Sequence, residues 1–166
     1  MTVSLDHLRQ IAVQMLEGSP HARALGIEAV SLDPSEALTK IRFQPELVGD
    51  PDTGVIAGGV VTALLDHTMG QAAMASMTVY SSIATLDLRI DYMRPAEPGH
   101  DIFCRAHCYK MTRTVAFVRA QAYDRDINDP VATAQAAFML AANAGRPFGA
   151  NLSAPRSGDG KGGDAA

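Results

Sequence analysis

Cysteine is scarce in this chain of 166 residues, which contains only Cys104 and Cys108. Both fall in a segment with strand-like alternation, where four residues of extended chain span about 13 Å, beyond the reach of a disulfide. We therefore expect two reduced thiols. These cysteines, His100 and His107 lack the close spacing of a metal-ligand motif, so no metal site is predicted.

Basic clusters and long apolar runs are missing as well. The formal net charge is -4 and the pI is near 5.6, so nucleic acid is not an expected partner. The N-terminus lacks the basic start and unbroken apolar stretch of a signal peptide, and Asp66 and His67 interrupt the most apolar segment. These absences predict a cytoplasmic protein without a membrane span.

The length and the composition, 47% hydrophobic and 19% charged residues, predict one globular domain with a sizeable core. Residues 1–20 are expected to contribute an amphipathic helix, because apolar residues recur at helical spacing over 4–17. The domain itself is assigned to residues 21–142. Residues 143–166 are rich in Gly, Ala, Ser and Pro and are expected to form a flexible tail.

Alternating polar and apolar residues predict a series of strands joined mostly by short turns. The predicted strands cover residues 27–32, 37–43, 82–94, 101–111, 115–123 and 131–142. Short turns require antiparallel pairing. In the third strand, Leu86 and Leu88 are expected on one face and Thr85 on the other. The fold class is α+β, with a curved antiparallel sheet wrapped around one long helix.

That helix is predicted within residues 54–79, the stretch that organises the chain. Gly58 and Gly59 suit a tight entry into a helix and allow a ligand to approach bare backbone. The free N–H groups and the positive dipole at a helix start can hold an oxygen that gains negative charge. The helix is apolar nearly all round and is expected to be buried, which makes Asp66 costly unless it has a partner or a task.

The spacing of these residues predicts a dimer. Gly58 and Asp66 are separated by roughly 12 Å along one helix, at about 1.5 Å per residue. If both act on one bond, they must come from two antiparallel copies of the helix related by a twofold axis. Such a dimer has two equivalent sites.

Two segments resemble the PaaI-like thioesterases of the hotdog-fold superfamily. Residues 54–73, GVIAGGVVTALLDHTMGQAA, are similar to the family's glycine, its His-Gly-Gly turn and its helix with an acidic residue two turns in. Residues 85–99, TLDLRIDYMRPAEPG, are similar to the family's strand that ends in a proline and a turn glycine. The resemblance covers roughly residues 21–140. It implies a hotdog dimer, commonly paired into a tetramer, that hydrolyses acyl-coenzyme A without a cofactor.

The resemblance also implies residue roles. Gly58 would supply the N–H that polarises the thioester carbonyl, and Asp66 of the other subunit would be the nucleophile or the general base. Thr85 falls where the family often has a Ser or Thr that positions water or the carboxylate. Two positions depart from the family pattern: Ala57 occupies the position of the family's His, and Pro51 occupies the position of its Asn or Gln. Both departures remove hydrogen-bonding groups.

Four further positions are assigned to substrate binding. Gly59 and Ala57 belong to the same turn, and Gly70 is expected to leave room for an acyl group. Arg113 is the preferred contact for a phosphate of coenzyme A. His67 points about 100° away from Asp66 on a helix, so these two residues form no dyad.

Two other functions stay open. A non-catalytic acyl-CoA-binding domain of the same fold fits the Ala57 and Pro51 departures. A hydratase or dehydratase is the other alternative, although Ala57 removes the most obvious catalytic histidine.

Overall fold

The computed structural model describes residues 18–77 and 82–140, together with Gln10 and Gln14, which are both helical. The rest of the predicted helix over 4–17, and the predicted tail over 143–166, lie outside the described residues. The elements in chain order are α1 (Pro20–Ala24), β1 (Ile27–Asp33), β2 (Glu36–Ile41), a 3-10 turn (Pro45–Leu47), β3 (Val48–Asp50), β4 (Val55–Ile56), α2 (Gly58–Ala75), β5 (Ile83–Tyr92), β6 (Ile102–Met111), β7 (Val115–Tyr123) and β8 (Ala132–Leu140).

Six strands form one antiparallel sheet in the order β1-β2-β6-β7-β8-β5. The helix α2 contacts all six strands, so the sheet wraps around it. This arrangement confirms the predicted α+β fold. Strands β1 and β5 lie at the two edges of the sheet.

The sheet face that meets α2 is lined mainly by small side chains. Seven buried alanines of β6, β7 and β8 point toward the helix: Ala106, Ala116, Ala120, Ala122, Ala132, Ala134 and Ala136. Small side chains let an 18-residue helix approach the sheet closely at native packing density. Cys104 lies on the same face as a free thiol, and burial raises its pKa to about 12.

The prediction of an entirely buried α2 is correct for its second half only. From Thr68 to Ala75 every residue is buried. In the first half, one stripe along the helix is exposed or half-buried, and we call it the open stripe: Gly58, Gly59, Thr62, Ala63, Asp66 and His67. The stripe exists because no strand or loop among the described residues covers that side of the helix.

The connection between β2 and α2 contains secondary structure of its own. It contains the 3-10 turn and then β3, which pairs with β4 in a two-stranded ribbon directly before α2. A Cβ atom on Gly49 would lie 2.8 Å from the Cα atom of Ala57, so glycine is required where the ribbon meets the helix.

A partly buried ion pair joins the β5–β6 turn to the β7–β8 turn. The guanidinium of Arg94 donates to both carboxylate oxygens of Asp124, at 2.8 and 2.6 Å, and to the carbonyl of Asp129. The Asp124 side chain is 1% exposed and also accepts from the backbone N–H of Glu97 and of Arg125. The hydrogen bonds from Arg94, followed by those from the backbone, hold the pKa of Asp124 well below its usual value.

No helix among the described residues has the length and hydropathy needed to cross a membrane. The cytoplasmic location stays a prediction.

Candidate active site

The start of α2 is free of any side-chain cap. Ala57 occupies the N-cap position with φ -57° and ψ 134° and offers no side-chain acceptor. Its own N–H donates to the carbonyl of Leu47 at 2.9 Å, which ties the helix start to the ribbon. The N–H groups of Gly58 and Gly59 have no acceptor within the part of the chain that the structure describes. Two exposed residues therefore carry free backbone donors at the positive end of the helix dipole.

The protomer does not itself require glycine at these two positions. A Cβ atom on Gly59 would meet nothing within 4 Å, and one on Gly58 would lie 3.6 Å from the hydroxyl of Tyr92, an ordinary contact. Neither residue has a positive φ. Glycine here leaves room for something outside the protomer to approach the backbone.

The carboxylate of Asp66 lies further along the open stripe. It accepts a hydrogen bond from Oγ1 of Thr85 on β5, at 2.9 Å. No lysine or arginine among the described residues pairs with it. The sequence predicted both residues, and the structure brings them together through a single directed contact.

A β-bulge brings Thr85 to that position. The pairing with β8 shifts between Thr85 and Asp87, so Leu86 is the extra residue, and its side chain is 56% exposed. Beyond the bulge, Leu88 and Ile90 pack against the core. The predicted alternation, with Leu86 beside Leu88 and Thr85 on the opposite face, is therefore wrong. The inserted residue reverses the parity of the strand, which leaves Thr85 on the same face as Leu88.

Tyr92 is a site residue that the sequence interpretation missed. Its hydroxyl donates to the carbonyl of Gly58 at 2.7 Å and lies 2.7 Å from Oγ1 of Thr62. The available signal was its parity with Leu88 and Ile90, which places a phenol on the face that meets α2. Strand β5 thus contacts both ends of the site, Asp66 through Thr85 and Gly58 through Tyr92.

His67 is held apart from Asp66. Its ring lies 3.3 Å from the amide nitrogen of Gln71, one turn further along the helix. Burial lowers the pKa of His67, and the nearby charge of Asp66 partly opposes that shift. The geometry agrees with the prediction that the two residues form no dyad.

The structure places two other predicted residues away from the start of α2. A Cβ atom on Gly70 would lie 3.4 Å from Cδ1 of Ile83 and 3.8 Å from Cε1 of Phe138, so these side chains occupy the space beside it. Arg113 is exposed in the β6–β7 turn, and Met111, the last residue of β6, packs against Met74 and Met77 at the far end of α2. The acyl-pocket role of Gly70 and the phosphate role of Arg113 stay predictions.

A cavity of about 650 Å³ lies on the other face of the sheet. Arg105, His107, Arg119 and Gln135 line it, and their strand neighbours in the sequence point toward α2. It includes neither Gly58 nor Asp66 and is separate from the open stripe. Within the described residues, no three His, Cys, Asp or Glu side chains are arranged to hold a metal ion.

The chain can now be compared with known families. Its main features are a six-stranded antiparallel sheet and a helix that has an uncapped glycine start and a carboxylate. Residues 53–131 match the model of the thioesterase superfamily. The chain belongs to this superfamily. It is 36% identical to a Pseudomonas aeruginosa protein of known structure, with a TM-score of 0.73 over 80% of this chain and 98% of that one.

Two further relatives of this thioesterase-superfamily chain are informative. Human acyl-coenzyme A thioesterase 13 is 29% identical over 118 residues, which are 70% of this chain and 82% of the human protein. The E. coli PaaI protein from the phenylacetic acid degradation operon is 20% identical and shares the fold, with a TM-score of 0.74 over 85% of this chain and 99% of PaaI. The predicted PaaI-like hotdog fold is confirmed.

Proposed function

We propose that this chain hydrolyses acyl-CoA thioesters to a free acid and CoA, at a site shared between the two subunits of a homodimer and without a cofactor. The observation that carries the proposal is the open stripe, which presents the free N–H groups at the start of α2 and the Thr85-bound carboxylate of Asp66 on one uncovered surface. The similarity to human acyl-coenzyme A thioesterase 13 supports the acyl-CoA substrate.

In the proposed reaction, the thioester carbonyl oxygen accepts from the N–H of Gly58, which stabilises the negative charge of the tetrahedral intermediate. Asp66 of the partner subunit either attacks the carbonyl carbon or removes a proton from the attacking water. If Asp66 attacks, the carbon–sulfur bond breaks to leave a mixed anhydride on Asp66, which water then hydrolyses; if water attacks, the same bond breaks as the tetrahedral intermediate collapses. In both routes water supplies the oxygen of the product acid, and the CoA thiolate takes up a proton.

The proposed dimer forms across the edge strand β5. This ten-residue strand pairs with β8 on one side, and no strand among the described residues pairs with its other side. An unpaired edge is a template for a second chain. Leu86 within the strand is 56% exposed and Met93 directly after it is 63% exposed, apolar surface that a partner would cover. Because Thr85 and Tyr92 contact the open stripe, pairing two β5 edges would also bring two stripes together.

The activity test uses Asp66→Asn, which keeps the shape of the side chain and removes its charge. Purified protein should release free thiol from a panel of acyl-CoAs, and the variant should lose at least about 100-fold in kcat, as expected when a base or nucleophile is removed. Full turnover by Asp66→Asn would refute the assigned role.

The shared site is tested by co-expressing two chains, one that carries Asp66→Asn and one that carries Gly58→Pro. Proline replaces the N–H with a ring carbon and is tolerated at a first helical position, and the ψ of 134° at Ala57 suits a residue before proline. Each variant alone should be inactive. Co-expressed chains that pair randomly should recover about a quarter of the wild-type activity, because about half the dimers are hybrids with one intact site of two. No recovery in hybrids isolated with two affinity tags would refute the shared site.

A non-catalytic acyl-CoA-binding domain is the second candidate, favoured by Ala57, which provides no side-chain hydrogen bond at the helix start. Tight acyl-CoA binding with no thiol release would support it. An absorbance change with enoyl-CoA would instead support a hydratase.

A further inference from the structure

Two hydroxyl groups converge on one carbonyl in the first turn of α2. The hydroxyl of Tyr92 lies 2.7 Å from the carbonyl oxygen of Gly58 and 2.7 Å from Oγ1 of Thr62. Oγ1 of Thr62 lies 3.1 Å from the same carbonyl oxygen. The Tyr92 side chain reaches this point from the edge strand and is half exposed.

The number of protons limits these hydrogen bonds to two of the three contacts, since each hydroxyl can donate only once. The two shorter contacts are satisfied together when Thr62 donates to the Tyr92 oxygen and Tyr92 donates to the Gly58 carbonyl. The result is a chain of hydrogen bonds that ends on the peptide group between Gly58 and Gly59.

A hydrogen bond to a peptide carbonyl polarises the whole peptide group, and successive hydrogen bonds strengthen one another. The N–H on the other side of this peptide belongs to Gly59. That N–H has no acceptor among the described residues, and nothing lies within 4 Å of the position of a Gly59 Cβ atom. The polarised donor therefore belongs to an exposed residue of the open stripe and has no acceptor in the described part of the chain.

We propose that Tyr92 is a positioning residue for thioester hydrolysis. It holds the first turn of α2 against β5 and, through the Gly58 carbonyl, strengthens the Gly59 N–H as a second donor to the thioester oxygen. This inference rests on the proposed function. It extends that proposal from one backbone donor to two and gives β5 a supporting role at both ends of the site.

The Leu86 bulge is what allows one strand to serve both ends. Thr85 and Tyr92 are seven positions apart, and residues separated by an odd number point to opposite faces of a regular strand. The extra residue shifts the alternation of the strand by one position, so both side chains point toward α2.

The test is Tyr92→Phe, which keeps the ring and removes the hydroxyl. Removing an oxyanion donor entirely costs 100-fold or more, so weakening one should lower kcat by about tenfold with little change in KM. The matched control is Tyr109→Phe. Tyr109 is also 50% exposed but lies under the guanidinium of Arg119 on the other face of the sheet, and its variant should keep wild-type kcat.

A second readout does not depend on activity. In protein labelled with 15N-glycine, the amide proton of Gly59 should move upfield in Tyr92→Phe and stay in place in Tyr109→Phe, because only the first change removes a hydrogen bond to that peptide. An unchanged Gly59 resonance in Tyr92→Phe would show that the hydroxyl does not act on this peptide, and that result would overturn the inference.

The two readouts separate this inference from the proposed function. If the wild-type protein hydrolyses no acyl-CoA, the proposed function fails while the amide shift still tests the hydrogen-bond chain. If hydrolysis is found but Tyr92→Phe keeps full kcat, the positioning role fails and the proposed function stands.

Discussion

Replacing Thr85 by valine tests whether the edge strand orients the carboxylate of Asp66 for the proposed reaction. Valine has nearly the shape of threonine but cannot donate the 2.9 Å hydrogen bond to Asp66. Hydrogen bonds to charged groups contribute about 1.5–3 kcal/mol. Asp66 is half-buried, so water competes for its oxygens and the lower end of that range applies.

A loss of about 1.4 kcal/mol corresponds to about tenfold in rate. We therefore expect Thr85→Val to lower kcat about tenfold in the thiol-release assay. KM should change little, because Thr85 is expected to act through the carboxylate rather than on the substrate. Thr85→Ser retains the hydroxyl and should keep most of the wild-type kcat.

The double variant makes the test stricter. If Thr85 acts only through Asp66, adding Thr85→Val to Asp66→Asn should cause no further loss, since the group that the hydroxyl orients is already disabled. Two results would contradict the reasoning: full kcat in Thr85→Val, or a second tenfold loss in the double variant.

Two predictions concern stability. The pKa of Asp124 is lower in the folded state than in the unfolded state. Its contribution to the free energy of unfolding is therefore present above the unfolded pKa near 3.9, and it is lost as pH falls from there through the folded pKa. Urea unfolding should show Asp124→Asn less stable than wild type by about 2–3 kcal/mol at pH 7, with the gap closing below about pH 4; an equal gap at pH 2.5 would contradict this. Gly49→Ala should lower stability by about 1–3 kcal/mol because its Cβ meets the backbone of Ala57, and calorimetry can compare it with Gly59→Ala, which meets nothing. Equal Tm values for these two variants would show that the ribbon accommodates the added methyl group without loss of stability.

Much of the candidate site could be predicted from short stretches of sequence. The glycine pair before an apolar run marks a helix start, and Asp66 stands out as the one acidic residue within that run. Both signals are local, because the helical period and the cost of placing a charge among apolar neighbours depend on residues close in the chain. Thr85 was found through the resemblance, and its predicted face was wrong.

The contacts that organise the site depend on elements far apart in the chain. Tyr92 reaches the Gly58 carbonyl across 34 positions of sequence, and Ala57 is fixed by the ribbon that contains Gly49. No periodicity within one segment reports which residue of another segment lies opposite. The open stripe could not be predicted for the same reason, since it depends on which side of α2 the sheet leaves uncovered.

The sequence alone determined the order of the six sheet strands along the chain, the central helix and the two groups to which we assign chemistry, because periodicity and burial cost act over a few neighbouring residues. The tertiary structure decided how those groups are supported. The Leu86 bulge exists only through the pairing of β5 with β8, and this single extra residue sets the parity that turns both Thr85 and Tyr92 toward α2.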